Sequence, residues 1–456
     1  MELEGGEGLD IEKILRLLPG KRLTAQARFQ EQTVLAKVFF ARSGFRRQIA
    51  REKRGLDLLR GAGVPAPLLL KSSSLPAVGV LLIQYLSSAE NLRERWRSVC
   101  CAEAGSRAQI RVLEPLFALV GRMHRAGLCQ KDLHLGNFLW HEGELKVIDG
   151  GGIARCRWPW QRSSNLGLLL AQLPEYPATF LLPLVAAYRQ GGGNIKMTAE
   201  RLLRLVRKQR DKQLHAYLAK TLRDSTEFCV AKNSRYFSSM VRASASWLGE
   251  IVNDPDKLMA RGTPLKLGGG TTVVRLEING HAVVVKRYNR GGFWRHLKRC
   301  WRMSRARKAW LNGYHLRALG IDTPRPLAFI EERRGLLCDR SWLVTEYVDG
   351  GNILELMARH EEDQPPAAVG NALKRLFASL RRERITHGDM KGTNLIWQDS
   401  KIWLIDLDGM KVHRKTFAWE RAWLKNRTRL LRNWDKKSWE IPWLEHLFSE
   451  MENHQK

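Results

Sequence analysis

Three side-chain types recur in one order along this chain of 456 residues. A lysine lies mid-way in a β-rich run, an aspartate is followed five positions later by an asparagine, and a second aspartate closes an apolar strand. The first set is Lys37, Asp132, Asn137 and Asp149; the second is Lys286, Asp389, Asn394 and Asp406. Phosphoryl transfer needs such a set: a cation to restrain nucleotide phosphates, amide and carboxylate oxygens to hold magnesium, and a carboxylate near the incoming hydroxyl. The Asp-to-Asn spacing suits a loop that turns from acceptor to metal, and Asp149 ends the strand LKVID twelve residues after Asn137. A lone aspartate after a strand carries little weight. An ordered set that occurs twice carries much more.

The elements that must position these residues also recur. Asp132 and Asp389, Asn137 and Asn394, and Asp149 and Asp406 are each 257 positions apart, as are Val64 and Ile321 in GAGVPAP and ALGIDTPRP. QTVLAKVFF (32 to 40) and AVVVKRY (282 to 288) read as strands with a central lysine. Amphipathic helices are predicted over Arg46 to Arg60 and Arg302 to Leu319, each stopped by glycine. Strand-like VGVLLIQYL and SWLVTEYV follow, then helix-rich stretches leading into the Asp/Asn loops. The fold class expected is α+β: two tandem bilobal domains, each with a small β-rich lobe and a helical lobe. The expected division is 1–224, a connector at 225–254, and 255–456, with a basic helical tail from Met197 to about Asp224.

Composition bounds the setting. The chain is 44% hydrophobic and 27% charged, globular rather than disordered, and 77 Lys and Arg against 46 Asp and Glu give a formal charge of +31. Such a surface favours polyanions: nucleic acid, anionic lipid or a phosphorylated glycan. Cys100, Cys101, Cys129, Cys156, Cys229, Cys300 and Cys338 show no metal spacing and read as reduced thiols. An acidic start without an apolar core argues against a signal peptide, and no apolar run approaches the roughly 20 residues that span a bilayer. The expectation is a cytoplasmic protein, able to sit peripherally on the cytoplasmic face of the inner membrane. Specific nucleic-acid binding is disfavoured, because no recognition helix or zinc pattern accompanies the charge.

His387-Gly388-Asp389-Met390-Lys391-Gly392-Thr393-Asn394 and Ile405-Asp406-Leu407-Asp408, with the lysine strands, resemble the protein-kinase-like superfamily. Within it the chain looks most like the bacterial lipopolysaccharide core heptose and 3-deoxy-octulosonate kinases. The matching loop of the first copy is Gln130-Lys131-Asp132-Leu133-His134-Leu135-Gly136-Asn137. The resemblance implies ATP and Mg2+ as cofactors, Asp132 and Asp389 as bases or acceptor-positioning groups, and Asn137, Asp149, Asn394 and Asp406 as magnesium ligands. It further implies Lys37 and Lys286 on the phosphates, with Gln84, Tyr85, Leu86 and Glu346, Tyr347, Val348 near the adenine edge. Lys391 and His134, two residues after each candidate base, can neutralise charge that develops during transfer.

The copies depart from the pattern differently. Glu52 can pair with Lys37, whereas the matching position of the second copy is Ala309 and no acidic residue lies between Lys286 and Asp322. Gly268, Gly269 and Gly270 can let backbone amides approach phosphate, whereas the first copy shows no glycine cluster around Ala25 to Glu31. The second copy is the stronger catalytic candidate, and one domain can be inactive. Trp419, Trp423, Trp434, Trp439 and Trp443 lie among basic residues and read as a packed helical cover or a lipid contact. The function expected is ATP-dependent phosphorylation of a sugar hydroxyl, heptose first, on the inner core of lipopolysaccharide or another phosphorylated glycolipid. A protein-hydroxyl kinase and a pseudokinase scaffold compete with it.

Overall fold

Five segments of the first unit, Met1–Gln213, pair as one antiparallel sheet, from the exposed DIEKILRLL at its edge to the continuously buried VGVLLIQ within it. Its strands are β1 (Asp10–Leu18), β2 (Arg22–Phe29), β3 (Gln32–Phe40), β4 (Leu69–Ser74) and β5 (Val78–Gln84), in the order β1-β2-β3-β5-β4. The computed structural model describes residues 3–4, 6–18, 20–40, 44–100, 106–173, 178–194, 198–289, 303–334, 337–359 and 367–453. Cys101, Cys300, Met197 and Arg302 lie outside them. Lys37 sits in the middle of the sheet, opposite Thr24 on β2 and Leu81 on β5.

Helix α1 (Phe45–Gly61) buries Phe45, Ile49, Glu52, Leu56 and Leu59, a three-four spacing that keeps one stripe inward. It stops where Gly63 takes a φ of 62° and Val64 N–H reaches back to the Leu59 carbonyl. The helical part of the unit is built on Arg107–Arg125, whose Leu113, Phe117 and Val120 join Leu184 and Tyr188 of helix Ala178–Gln190 in one core.

Two short pairings then hold the candidate loops. Strand Leu128–Gln130 pairs antiparallel with Ile153–Arg155, and hairpin Phe138–His141/Glu144–Val147 lies between them. Asp132 therefore leaves the first pairing, Asn137 opens the hairpin, and Asp149 follows its close. Each side chain is placed by the end of a strand rather than by a free loop.

The second unit, Leu214–Lys456, repeats this plan. Strands Thr263–Lys266, Thr271–Ile278, His281–Tyr288, Leu337–Glu346 and Pro326–Arg334 run in the same relative order as β1-β2-β3-β5-β4. Helix Arg305–Ala318 stands where α1 stands, strand Ile385–Thr386 pairs with Lys411–Val412, and Leu395–Gln398/Lys401–Leu404 is the equivalent hairpin. The segment 225–254, read from sequence as a connector, departs from that reading. Its strands Phe228–Lys232 and Tyr236–Val241 extend the sheet to seven by pairing Tyr236–Met240 with Ala328–Glu332. Ser238 and Ser239 interrupt the apolar pattern that would have marked this strand. Both are buried, and the Ser239 hydroxyl donates to the Thr221 carbonyl at 2.6 Å.

The C-terminal tryptophans pack inward: Trp419 is buried, and Trp423, Trp434, Trp439 and Trp443 lie against the core that contains Phe377 and Phe448. No described helix is long and apolar enough to cross a membrane.

The join of α1 to the Asp149 loop depends on a missing side chain. A Cβ on Gly55 would run into the backbone carbonyl of Gly150, which cannot swing aside. Gly55→Ala is expected to cost about 1–3 kcal/mol through overpacking. Thermal melts of the wild type and variant, followed by circular dichroism, should show a lower midpoint for the variant; equal midpoints would contradict this close approach.

Candidate active sites

In both units the Asp-to-Asn loop closes on itself. Asn137 Nδ2 donates to the Asp132 carbonyl at 2.8 Å, and Asn394 Nδ2 donates to the Asp389 carbonyl at 2.9 Å. The donor end of each amide is thereby engaged, leaving Oδ1 as the atom able to meet a cation. The asparagine backbones also anchor the second carboxylate, because Ile148 N–H donates to the Asn137 carbonyl and Ile405 N–H to the Asn394 carbonyl, at 2.9 and 3.0 Å.

Asp149 and Asp406 share an unusual backbone. Their φ angles are 71° and 63°, in the left-handed region that non-glycine residues seldom occupy. The surrounding structure holds them there, as expected where a backbone is strained to aim a functional group. The carbonyl just before each is gripped by the residue two before the candidate base. His387 Nε2 donates to the Ile405 carbonyl at 2.7 Å, and Gln130 Nε2 donates to the Ile148 carbonyl at 3.4 Å. Gln130 thus does in the first copy what His387 does in the second.

Electrostatics then diverge. In the first unit Lys37 Nζ pairs with Glu52 and lies 4.0 Å from Asp149 Oδ1, while the other Glu52 oxygen accepts from Gly151 N–H at 2.9 Å. A cleft of about 310 Å³ opens here, lined by Glu52, Asp132 and Asp149 and by the cations Arg22, Arg51 and Lys131. Asp132 projects into solvent, 3.6 Å from His134 Nε2, and Arg93 contacts the other ring nitrogen at 3.3 Å.

In the second unit Lys286 pairs with Asp406 itself. Asp389 is held by Lys391 at 2.7 Å and by Arg429, on helix Thr416–Leu431, at 3.1 Å. Burial pushes the Asp389 carboxyl up, but hydrogen bonds and charge from these two cations outweigh it and hold it below the usual carboxylate range. The same contest at Asp406 ends well below that range, through its hydrogen bond with Asp408 and the charge of Lys286. Asp408 is pushed upward by burial and by Asp406, and Arg305 contacts it at 2.5 Å.

Other sequence-predicted positions meet different surroundings. Gly268 and Gly269 have φ values of 90° and 63° in an exposed turn between the first two strands of the second sheet, and the Gly270 carbonyl accepts from Asn289 N–H at 3.1 Å. The topologically matching turn of the first unit lies at Gly20 and Lys21, before Arg22. Ala25 to Glu31, where a glycine cluster was sought, is instead strand β2 and its next turn. Of the expected adenine-edge segments, Gln84 N–H is engaged by the Leu68 carbonyl, Glu346 N–H by Arg325, and Tyr347 N–H by Ala282. These donors are therefore occupied by the sheets; Tyr85, Leu86 and Val348 follow the strand ends.

Every candidate cation ligand is a hard oxygen, from an asparagine amide or an aspartate. Among the described residues no group of three or more His, Cys, Asp or Glu can hold a metal alone. The donor set fits Mg2+, which binds through one or two carboxylates and completes its shell with water and substrate phosphates.

With this geometry in view, residues 266–447 match the family model of the lipopolysaccharide kinase (Kdo/WaaP) family. The chain is also 28% identical over 178 residues to a 3-deoxy-D-manno-octulosonic acid kinase of Vibrio cholerae, spanning 37% of this chain and 72% of that protein. A solved structure described as WaaP in complex with acyl carrier protein aligns at 18% identity, covering 45% of this chain and 90% of that one, with a TM-score of 0.35. Residues 266–447 are thus similar to the lipopolysaccharide kinase family, as the motifs of the second copy indicated. The family match lies wholly on the second set of residues and says nothing of the first.

Behind the first site, His124 is buried between Tyr188, 2.8 Å from Nδ1, and Asn165, 3.1 Å from Nε2; Asn165 in turn donates to the Gln130 carbonyl at 2.7 Å. Burial lowers the His124 pKa to about 4, from a model-compound value of 6.5. Between these values the unfolded chain binds the extra proton, so stability falls as pH drops from 6.5 towards 4. The loss should reach about 2 kcal/mol near pH 5. Melting temperatures across that range are expected to fall less steeply for His124→Gln than for the wild type; parallel slopes would contradict this reading.

Proposed function

We propose that the protein transfers the γ-phosphoryl group of ATP to a sugar hydroxyl of the lipopolysaccharide inner core. One observation carries the reading: in the second unit the strand lysine meets the strand-ending aspartate, Lys286 on Asp406, beside an asparagine fixed under the Asp389 carbonyl. Four residues spread over 121 positions thus converge on one small volume. The family match over residues 266–447 supports the class of reaction, and the relative named for 3-deoxy-D-manno-octulosonic acid supports a glycan acceptor.

In this reading Lys286 leaves Asp406 for the nucleotide phosphates when ATP enters. Asn394 Oδ1 and Asp406 would hold Mg2+, which when bound would offset charge on the phosphate oxygens. Asp389 accepts the hydrogen bond of the acceptor hydroxyl and aims its oxygen at the γ-phosphorus. The new O–P bond forms as the bond to the bridging oxygen breaks, ADP departs, and the hydroxyl proton passes by way of Asp389 to solvent. Lys391 and Arg429 keep that carboxylate ionised, so it orients the hydroxyl better than it stores the proton. They also place two cations where an already phosphorylated glycolipid would approach.

The acceptor sugar we propose is heptose, from the motif resemblance, or 3-deoxy-octulosonate, the sugar in the relative's name. In the first unit Asp132, Asn137, Asp149 and Lys37 form a second site of the same kind, with Glu52 locking the lysine; adenine would lie past the ends of the sheets, near Tyr85, Leu86 and Val348. In this proposal each of the two units, Met1–Gln213 and Leu214–Lys456, carries one such site, in place of the division at 224 and 255. Action at the cytoplasmic face of the inner membrane, in contact with anionic lipid, follows from the proposed acceptor and the +31 charge.

Purified protein with Mg2+, labelled ATP and truncated lipopolysaccharides of defined sugar content tests the proposal. Product mass spectrometry should locate one added phosphate. Asp389→Asn is expected to lower its formation at least about 100-fold, the scale of a lost acid–base or positioning group. Asp132→Asn measures what the first site adds, and the double variant should be inactive. Undiminished product from the double variant would overturn the assignment; phosphorylation of protein without glycan product would favour a protein-hydroxyl kinase, and nucleotide binding without turnover a scaffold.

A further inference from the structure

The two copies solve one mechanical problem with opposite charges. In the first unit α1 is tied to the Asp149 loop by Glu52, whose carboxylate joins Lys37 on β3 and Gly151 N–H. In the second unit three positions of this arrangement differ together: Gln48, Glu52 and Gly151 correspond to Arg305, Ala309 and Asp408, each 257 residues on. The acidic group has moved from helix to loop, and the cation from strand to helix.

Spatial equivalence is independently established at a neighbouring position. Gly55 in the first unit lies against the Gly150 carbonyl, and Asn312, its counterpart, donates Nδ2 to the carbonyl of Leu407, the counterpart of Gly150, at 2.7 Å. Helix and loop therefore meet at the same place in each unit. Ala309 is buried in a core with Trp310 and Tyr288 and offers no charge, while Arg305 Nε meets Asp408 Oδ2 at 2.5 Å. The Arg305 guanidinium lies 4.7 Å from the centroid of the buried Tyr288 ring, and the Lys286 ammonium 5.1 Å from it. Both cations thus lie against one ring, and Asp406 and Asp408 meet them from the loop.

We propose that Arg305 and Asp408 are the positioning residues of the second site, a charge-reversed latch that replaces the helix glutamate and fixes the loop carrying Asp406. This rests on reading Lys286 and Asp406 as the phosphate and metal groups. The latch leaves Lys286 without a helix partner, so that its contact is Asp406 and it is released to the phosphates when nucleotide binds. In the first unit Glu52 keeps Lys37 paired throughout.

The test exchanges the three residues for those of the first copy. In full-length protein, Arg305→Gln is expected to raise amide hydrogen exchange in helix 305–318 and loop 405–410 about tenfold, the scale of a lost charged hydrogen bond. The triple variant Arg305→Gln, Ala309→Glu, Asp408→Gly should return exchange to within about threefold of wild type, because the new glutamate can reach Lys286. Should the triple variant fail to fold, the reciprocal pair Arg305→Asp with Asp408→Arg replaces it. Recovery beyond either single variant supports the latch; no recovery in the folded compensated protein, or no effect of Arg305→Gln, overturns it. These exchange measurements need no turnover, so they decide the latch even if wild-type protein phosphorylates no glycan, a result that would sink only the kinase reading. Where turnover is found, it is followed in an Asp132→Asn background. Arg305→Gln should then raise KM for magnesium-ATP about tenfold and leave KM for the acceptor unchanged. An equal fall in all parameters would indicate general structural damage and overturn the positioning role.

Discussion

The site in each unit depends on a strained aspartate whose flanking peptide groups are held from two sides. Asp149 and Asp406 adopt a left-handed backbone that isolated residues avoid, and two hydrogen bonds keep them there. The amide of the preceding isoleucine donates to the asparagine carbonyl, and its own carbonyl accepts from Gln130 or His387. One residue is thereby clamped from both faces, and that clamp sets the distance between the candidate base and the candidate metal ligand. Strand pairing before and after the loops keeps the clamp closed in both units.

Given this common clamp, the units differ in what meets the strand lysine. Lys37 is almost enclosed and shares Glu52 with the loop backbone, an arrangement in which charge and hydrogen bonds satisfy one another inside a low-dielectric interior. Lys286 meets Asp406, the aspartate that the proposed mechanism also gives to the metal, so in that reading cation and lysine compete for one carboxylate. In the proposed reading the first site is accordingly closer to its loaded charge arrangement before any ligand arrives, and the second must rearrange. That contrast arises from a few substitutions on otherwise matching elements.

Much of this was legible in sequence because it is local. The strand Gln32–Phe40 and helix Phe45–Gly61 follow from residue type and period, and the Asp, Asn, Asp order follows from a hairpin whose length is fixed by pairing. What sequence reading missed is long-range. Arg429 reaches Asp389 across 40 positions and Arg305 reaches Asp408 across 103, and in a chain with 77 Lys and Arg nothing local distinguishes either cation. Strand 236–241 was missed for a related reason: its buried Ser238 and Ser239 break the apolar alternation that marks a strand, and Ser239 is satisfied by the Thr221 carbonyl 18 positions away. The first unit's counterpart of the Gly268–Gly270 turn, at Gly20 and Lys21, lies before Ala25 to Glu31, and the 257-residue offset that holds from the helix onward does not locate it because that offset does not extend to the sheet. Lys37 and Lys286 are only 249 apart.

The strongly basic composition also takes on a local meaning. Cations gather at the mouths of acidic sites: Arg22, Arg51 and Lys131 at the first cleft, Lys391 and Arg429 on the second candidate base. An acidic pocket alone would repel ATP and a phosphorylated acceptor alike, and a basic pocket alone would not hold a divalent cation. Placing carboxylates at strand ends and cations on the surrounding helices, loops and the start of β2 separates the two demands by a few ångströms. Because fields from exposed charges fade within about 8–10 Å at physiological salt, that separation matters more to ligand capture than net charge. Loss of one rim cation should then be felt at one site, whereas added salt weakens both.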